Sequence, residues 1–248
     1  MLESNNNKFN HIKVHTQYSI CEGAIKIDIL KDFCKEKKIQ SIGLSDTANL
    51  CGALEFSENI SKAGTQPIIG TQINFKFKDT IGLLPLIALN EKGYKKIIEL
   101  SSKTYLENNT LFEPHLDIEE LYKDTNGVLV FSGTINGLFG KLFDKGRLDE
   151  ISEIYQKISS FFNDRFYIEI QRHGDQNEKS FESFNLRKSK ELQIPIIATH
   201  EVFYLDKSMY DAHDALMCIG SKTYVNEKNR IKLTSEHYFK TNQEMFDL

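Results

Sequence analysis

The sequence has no CxxC pair, no long apolar run, no excess of basic residues and no tryptophan. Its four cysteines, Cys21, Cys34, Cys51 and Cys218, are scattered, which argues against a zinc ribbon and against a disulfide scaffold. No apolar stretch approaches the length of a membrane span, and Met1 to Asn10 is polar rather than signal-like, so a cytoplasmic chain is expected. A formal net charge of −4 argues against a domain that holds nucleic acid by electrostatics alone, because such domains are basic. No repeat and no low-complexity linker interrupts the 248 residues. That length fits one large α/β domain or two small ones.

What is present is alternation of strand and helix. From His11 to Ser19, Ile12 and Val14 alternate with polar residues, predicting a strand with His11, Lys13 and His15 on one face. Taken alone, the stretch reads first as a surface-facing strand edge carrying one or two hydrogen-bonded histidines. Ala24 to Lys38 has helical spacing, Ser41 to Asp46 is a short strand ending on a carboxylate, and Gly52 to Ala63 is helical with Ala53, Leu54, Phe56 and Ile60 inward. Strands follow at Gln66 to Phe75 and Ile81 to Asn90, where Pro85 predicts an irregular or edge position. Further strands are expected at Gly127 to Gly133, Arg165 to His173 and Pro195 to Thr199, with helices at Gly93 to Tyr105, Asp149 to Phe162 and Ser208 to Ile219. This order predicts parallel βα units, in a closed barrel or a doubly wound sheet. At the far end, Thr241 to Glu244 has the spacing of a capping box, and Met245, Phe246 and Leu248 begin an apolar face. A helix begun so near the last residue predicts a piece of a longer polypeptide.

Residues just beyond parallel strands converge on one mouth, where α/β barrels place their chemistry. Here they are His15, Asp46, Gln72, Thr134, His173, and His200 with Glu201. Histidines and acids together suit a metal-assisted phosphoesterase, since imidazole and carboxylate bind zinc or manganese and activate water. The plainer alternative is also physical. Asp46 suits a helix N-cap or Asx turn, and His173 before Gly174 suits a backbone hydrogen bond.

Several strings resemble the PHP (polymerase and histidinol phosphatase) domain that opens the bacterial DNA polymerase III alpha subunit. They are Phe9 to Ser19, Leu44 to Gly52, Ile68-Ile69-Gly70, Phe131-Ser132-Gly133, Asp164 to Gln171, Asp211-Ala212-His213 and Phe239-Lys240-Thr241. The resemblance implies a distorted TIM-like (β/α) barrel over residues 1–240, with 241–248 starting the connection to a polymerase palm region. It also brings a comparison of metal positions. Where metal-bearing members have two first-strand histidines, this sequence has Lys13 and His15, followed by the acid Glu22. The histidine after Asp46 becomes Thr47, the next carboxylate Gln72, and the histidine of the following strand Leu83. The ligand after Ser-Gly becomes Thr134, and the final Asp-x-His becomes Glu201 and Phe203. By this resemblance His15, Glu22 and Glu201 keep ligand chemistry, whereas Lys13, Thr47, Gln72, Leu83, Thr134 and Phe203 do not.

Lys13 also sets a cation where a metal would sit, opposing binding by charge. No metal or other cofactor is therefore expected for this stretch; the parent polymerase would use magnesium in its palm. One weakly held ion among His15, Glu22, Glu201 and His200 is the alternative. Lys13 is expected to pair with Glu22, Glu201 or Asp46, because a buried ammonium needs a counter-charge. The resemblance implies a catalytically inactive scaffold that docks the proofreading exonuclease epsilon subunit and other replicase subunits, and meets DNA only through the full-length chain. A metal-dependent 3′–5′ exonuclease or phosphoesterase on the same barrel is the rival function.

Overall fold

In the computed structural model, residues 8–107 and 113–248 are described. The chain begins with β1 (Lys13–Val14), α1 (Ile27–Lys37), β2 (Ser41–Thr47), α2 (Ala53–Lys62), β3 (Gln66–Phe77), β4 (Thr80–Ala88) and α3 (Glu91–Leu106). It continues with β5 (Leu116–Asp117), β6 (Val128–Phe131), α4 (Leu138–Asp144), α5 (Leu148–Phe162), β7 (Phe166–Ile170) and α6 (Glu178–Leu192). It ends with β8 (Ile196–Ala198), β9 (Glu201–Val202), α7 (Tyr210–Ser221) and α8 (Asn242–Phe246). Each long helix buries one stripe, as its 3.6-residue spacing dictates. In α5 that stripe is Ile151, Ile154, Tyr155, Ile158 and Phe162. Leu54, expected inward, is 71 % exposed on α2, whose buried residues are Ala53, Phe56 and Ile60.

The strands form one curled sheet in the order β8-β7-β6-β4-β3-β2-β1-β9, with β5 added to β3. Its two end strands, β8 and β9, are separated in sequence only by Thr199 and His200. One short run of chain thus pairs with β7 through Ile196–Ala198 and with β1 through Glu201–Val202. This is how the sheet curls round on itself, in keeping with a distorted TIM-like barrel. One apolar cluster fills the side of β3, β4, β6 and β7 under α3 to α6, and a second packs α1 and α2 on β1 and β2.

The structure corrects three local expectations. The pairings are not all parallel: β4 runs antiparallel to both β3 and β6. Only Lys78 and Asp79 join β3 to β4, and a parallel crossover needs a dozen residues or more. That strand is also interior rather than at an edge, although Pro85 stands just beyond the stretch, Leu86 to Ala88, that pairs with β6. The missing Pro85 amide therefore interrupts no ladder bond on that side. Finally, the first strand is two residues long and not nine, because Ser19 turns back to donate to the Thr16 carbonyl at 2.9 Å. The final helix does carry its capping box, with Thr241 and Glu244 exchanging bonds.

Placement of β1 depends on a close approach. A β-carbon on Gly43 in β2 would lie 2.5 Å from the Ile12 carbonyl oxygen and 2.6 Å from its Cα. Both are backbone atoms with nowhere to yield. Gly43→Ala is expected to push β1 off β2 and to destabilise the chain by about 1–3 kcal/mol. Urea unfolding checks this, and an unchanged midpoint would contradict it.

Candidate functional site

The parallel register of β1 with β9 sets Lys13 beside Glu201. Lys13 is fully buried, with its Nζ 3.1 Å from Glu169 Oε1 and 3.4 Å from Glu201 Oε1. Burial alone would lower the ammonium pKa, but Glu169 and Glu201 outweigh it and hold Lys13 above its ordinary value. Burial would likewise raise Glu201, yet Lys13 and His15 hold it well below the usual carboxylate range. Lys13 therefore stays charged inside the barrel.

Around this ion triad the polar groups interlock. Glu169 Oε1 accepts from the Thr199 hydroxyl and, at 3.0 Å, from the Gln171 amide. Ser132 Oγ accepts from the Glu169 backbone amide at 2.9 Å. Glu201 Oε1 takes the His15 Nε2 at 2.9 Å and the Gln72 amide. His15 bonds Ser19 Oγ through Nδ1 at 3.1 Å, and its ring stacks on Phe203 with centroids 4.2 Å apart. The acceptor capacity of Glu201 Oε1 is thus taken by Lys13, His15 and Gln72.

Above the triad opens a cavity of about 170 Å³. His15, Glu22, Thr47, Gln72, Leu83, Thr134, Glu201 and Phe203 all line it, so the structure brings these sequence-selected positions together. Thr47 donates to Glu22 Oε2 at 2.6 Å, and Thr134 Oγ1 accepts from the Asn136 amide at 3.1 Å. Lys13 lies beneath this group. The cavity wall carries the carboxylates Glu22, Asp175 and Glu201 but no lysine or arginine.

Besides Lys13, three selected residues are not on that wall. Asp46 accepts from the Thr16 amide at 2.6 Å, from Thr16 Oγ1 at 2.8 Å and from Ser19 Oγ at 2.8 Å, fixing the turn after β1. It belongs to the structural reading and is no counter-charge for Lys13. His200 points to the opposite side, where Nε2 meets the Tyr238 carbonyl at 3.0 Å and the ring packs against His11 and His173. It cannot join His15, Glu22 and Glu201 around one ion. His173 accepts from the Glu201 amide at 3.3 Å, the backbone role foreseen for it.

Three functional candidates escaped the sequence reading. Glu169 is the nearer counter-ion of Lys13, and its signal was present: a lone acid inside the apolar run Phe166 to Ile170 must have a partner. Asp175 and His237 stand with His173, their ligand atoms within 4.8 Å of one another. His173-Gly174-Asp175 spacing was visible; His237, 62 residues beyond Asp175 along the chain, had no sequence signal. 

Two outcomes follow from these charges. Lys13→Met leaves Glu169 and Glu201 buried without their cation and is expected to destabilise the chain by about 3–5 kcal/mol near neutral pH. The low Glu201 pKa contributes stability above the unfolded carboxylate pKa, lost as pH falls through the folded value. In Lys13→Met, Glu169 and Glu201 are buried without their cation and take up protons at higher pH, which relieves the variant, so its gap to wild type should narrow as pH drops from 7 to 4; a gap that stays constant in urea titrations would count against the triad. Separately, burial lowers His11 from 6.5 to about 4, and burial with the neighbouring His173 and His11 lowers His200 further. Both are neutral in the fold and bind a proton on unfolding. Their contribution is complete above pH 6.5 and is lost as pH falls towards 4, at about 1.4 kcal/mol per pH unit for each. Unfolding midpoints measured between pH 7 and 5 should fall accordingly, and a flat profile there would disagree.

Comparison with known proteins agrees with this architecture. Residues 11–173 match the PHP domain family. DNA polymerase III subunit alpha of Caulobacter vibrioides is 36 % identical over 258 residues, covering 99 % of this chain and 22 % of the relative. The corresponding subunits of Rickettsia conorii and Borreliella burgdorferi are 34 % and 32 % identical, each over 97 % of this chain and 20 % and 22 % of their own lengths. The chain thus spans about a fifth of the curated relatives it matches. A solved structure from Bifidobacterium adolescentis, assigned as a metal-dependent phosphoesterase, superposes with a TM-score of 0.51 at 11 % identity, covering 96 % of this chain and 94 % of that one. That likeness speaks for the fold. With the curled sheet, the polar mouth and the family match in agreement, the chain belongs to the PHP domain family, in the branch whose curated relatives are DNA polymerase III alpha subunits.

Proposed function

We propose that this chain is the PHP scaffold of a replicative DNA polymerase III alpha subunit, its inherited phosphoesterase centre lost. It docks the proofreading exonuclease epsilon subunit and braces the polymerase region. Residues 1–240 form the scaffold and 241–248 lead into that region, where the parent polymerase holds magnesium; contact with DNA belongs to the full-length protein in the cytoplasm. Among the described residues no helix is long and apolar enough to cross a membrane.

The observation that carries this reading is the Lys13 ammonium between Glu169 and Glu201, at 3.1 and 3.4 Å. A metal cluster at the family positions does not fit these residues. Glu201 Oε1 is engaged by Lys13, His15 and Gln72, and Phe203 covers the face of His15. Leu83 offers no donor, and Thr47 already donates to Glu22. Adding a divalent ion would set its charge against a fixed buried cation. No hydrolytic step is assigned to the chain.

Purified without chelator, the chain is expected to leave p-nitrophenyl phosphate and phosphodiesters intact with zinc or manganese present. It is expected to co-elute with the exonuclease subunit and to bind duplex DNA weakly, as its net charge of −4 suggests. Lys13→His alone should not create hydrolysis, since the other positions remain filled by non-ligands. Chelator-sensitive hydrolysis with two or more ions per chain, or tight salt-dependent DNA binding without exonuclease association, would overturn the proposal.

A further inference from the structure

On the backbone of Glu201, whose side chain pairs with Lys13, the loop after β7 brings a different set of donors together. Gly174, with φ +77°, folds His173-Gly174-Asp175 back on itself. His237 arrives from the segment before α8, and the rings of His173 and His237 stack with centroids 4.0 Å apart and planes 1° apart. One ligand atom from each of His173, Asp175 and His237 lies within 4.8 Å of the other two. None of the three occupies a position at which the resemblance places a family ligand.

Hydrogen bonding fixes which nitrogens are bare. His237 Nδ1 lies 3.3 Å from the Glu201 carbonyl oxygen, so that nitrogen carries the proton and donates it. Its Nε2 is then a lone pair. That atom is buried and has no hydrogen-bond partner. It faces Asp175 Oδ2 at 4.0 Å, and no donor reaches that carboxylate among the described residues. An imidazole lone pair and a carboxylate oxygen are both acceptors, so neither satisfies the other at 4.0 Å. His173 is set up in the same sense. Its Nε2 accepts from the Glu201 amide, and Nδ1 lies 3.5 Å from Glu178 Oε1. A backbone carbonyl or carboxylate on Nδ1, which leaves the lone pair on Nε2, is the outer-shell arrangement of metal-bound histidines; in His237 that lone pair is bare, and in His173 it takes the Glu201 amide.

We propose that His173, Asp175 and His237 form a binding site for a single divalent transition-metal ion of the zinc class, with water completing its coordination. Two imidazoles and a carboxylate are a recognised zinc set. A tetrahedral ion holds its ligand atoms roughly 3.3 Å apart, so the present spacing closes by an ångström or so on binding. The parallel rings cannot aim both lone pairs at one point as they stand. One ring turns, the stacking contact is given up, and the Glu201 amide yields His173 Nε2 to the ion. The electrostatics favour a cation here, since the cavity wall holds three carboxylates and no lysine or arginine. Lys13, the buried cation beneath the cavity, is already matched by Glu169 and Glu201. The site is independent of exonuclease docking and of hydrolysis, neither of which it requires.

The test uses the 248-residue chain, stripped with chelator and dialysed against zinc or cobalt(II). Elemental analysis should find a single ion per chain, and cobalt should give the visible absorption of a low-symmetry nitrogen–oxygen site. Asp175→Asn, on an outer turn, and His237→Gln should each weaken uptake tenfold or more while circular dichroism stays unchanged. Glu22→Gln, on the vacated family position, should leave uptake as it was. Absence of uptake by the wild-type chain overturns the proposal. So does uptake that survives Asp175→Asn and His237→Gln, or that Glu22→Gln abolishes, since the ion would then sit elsewhere.

Discussion

Lys13 is the constraint on which the mouth of this barrel depends. A fully buried ammonium survives only where opposite charge surrounds it, and here the charges come from two other strands, β7 and β9. Once Lys13 is fixed, Glu201 has one position open to it, and His15, Gln72 and Phe203 arrange themselves around that carboxylate. Glu169 is fixed in turn by Thr199, Gln171 and Ser132. Nearly every polar side chain between the strand ends is thus committed to holding another in place. Groups committed in this way are poor ligands and poor bases, which is why the arrangement reads as architecture.

The cluster of His173, Asp175 and His237 differs from the triad in having no cation. Asp46 has three donors and Glu201 has three partners. Asp175 and His237 face each other with lone pairs only. Buried polar groups in native proteins are paired as a rule; His237 Nε2 is one of the buried atoms here without a hydrogen-bond partner, as are Lys13 Nζ and Glu169 Oε2 in the triad, where charge takes the place of a well-aligned hydrogen bond. Glu201, Asp175 and His237 all line one small cavity, with Lys13 buried beneath the first of them.

Much of the fold was legible in the sequence because it is written in local periodicity. The stripe Ile151, Ile154, Tyr155, Ile158, and the capping box at Thr241 and Glu244, report themselves within a few residues. The direction of β4 was legible too, from the five residues, Lys76 to Thr80, left between the two expected strands, but alternation of strand and helix suggested parallel pairing more loudly. At the site, register carried the inward placement of Lys13 and His15. Partners set by tertiary approach were another matter. Glu169 could be recognised as needing a partner without the sequence saying which, and His200 gave no sign that it turns away from the mouth towards Tyr238. Pairing across a barrel depends on how far the sheet curls, and no local pattern encodes that.

The run Ile196 to Val202, which meets β7 with one half and β1 with the other, has a consequence for the order in which the molecule is made. His15 and Glu201 are 186 positions apart, and Lys13 finds β9 only when that last strand has been synthesised. At roughly 5–20 residues per second a ribosome needs on the order of ten to forty seconds to cover the interval. For that time β1 has β2 on one side and an open edge on the other, and its lysine is solvated rather than paired. The nascent barrel is therefore an open sheet awaiting its closing strand. Its exposure to chaperones and to pairing with neighbouring chains is set by translation speed more than by the stability of the finished fold.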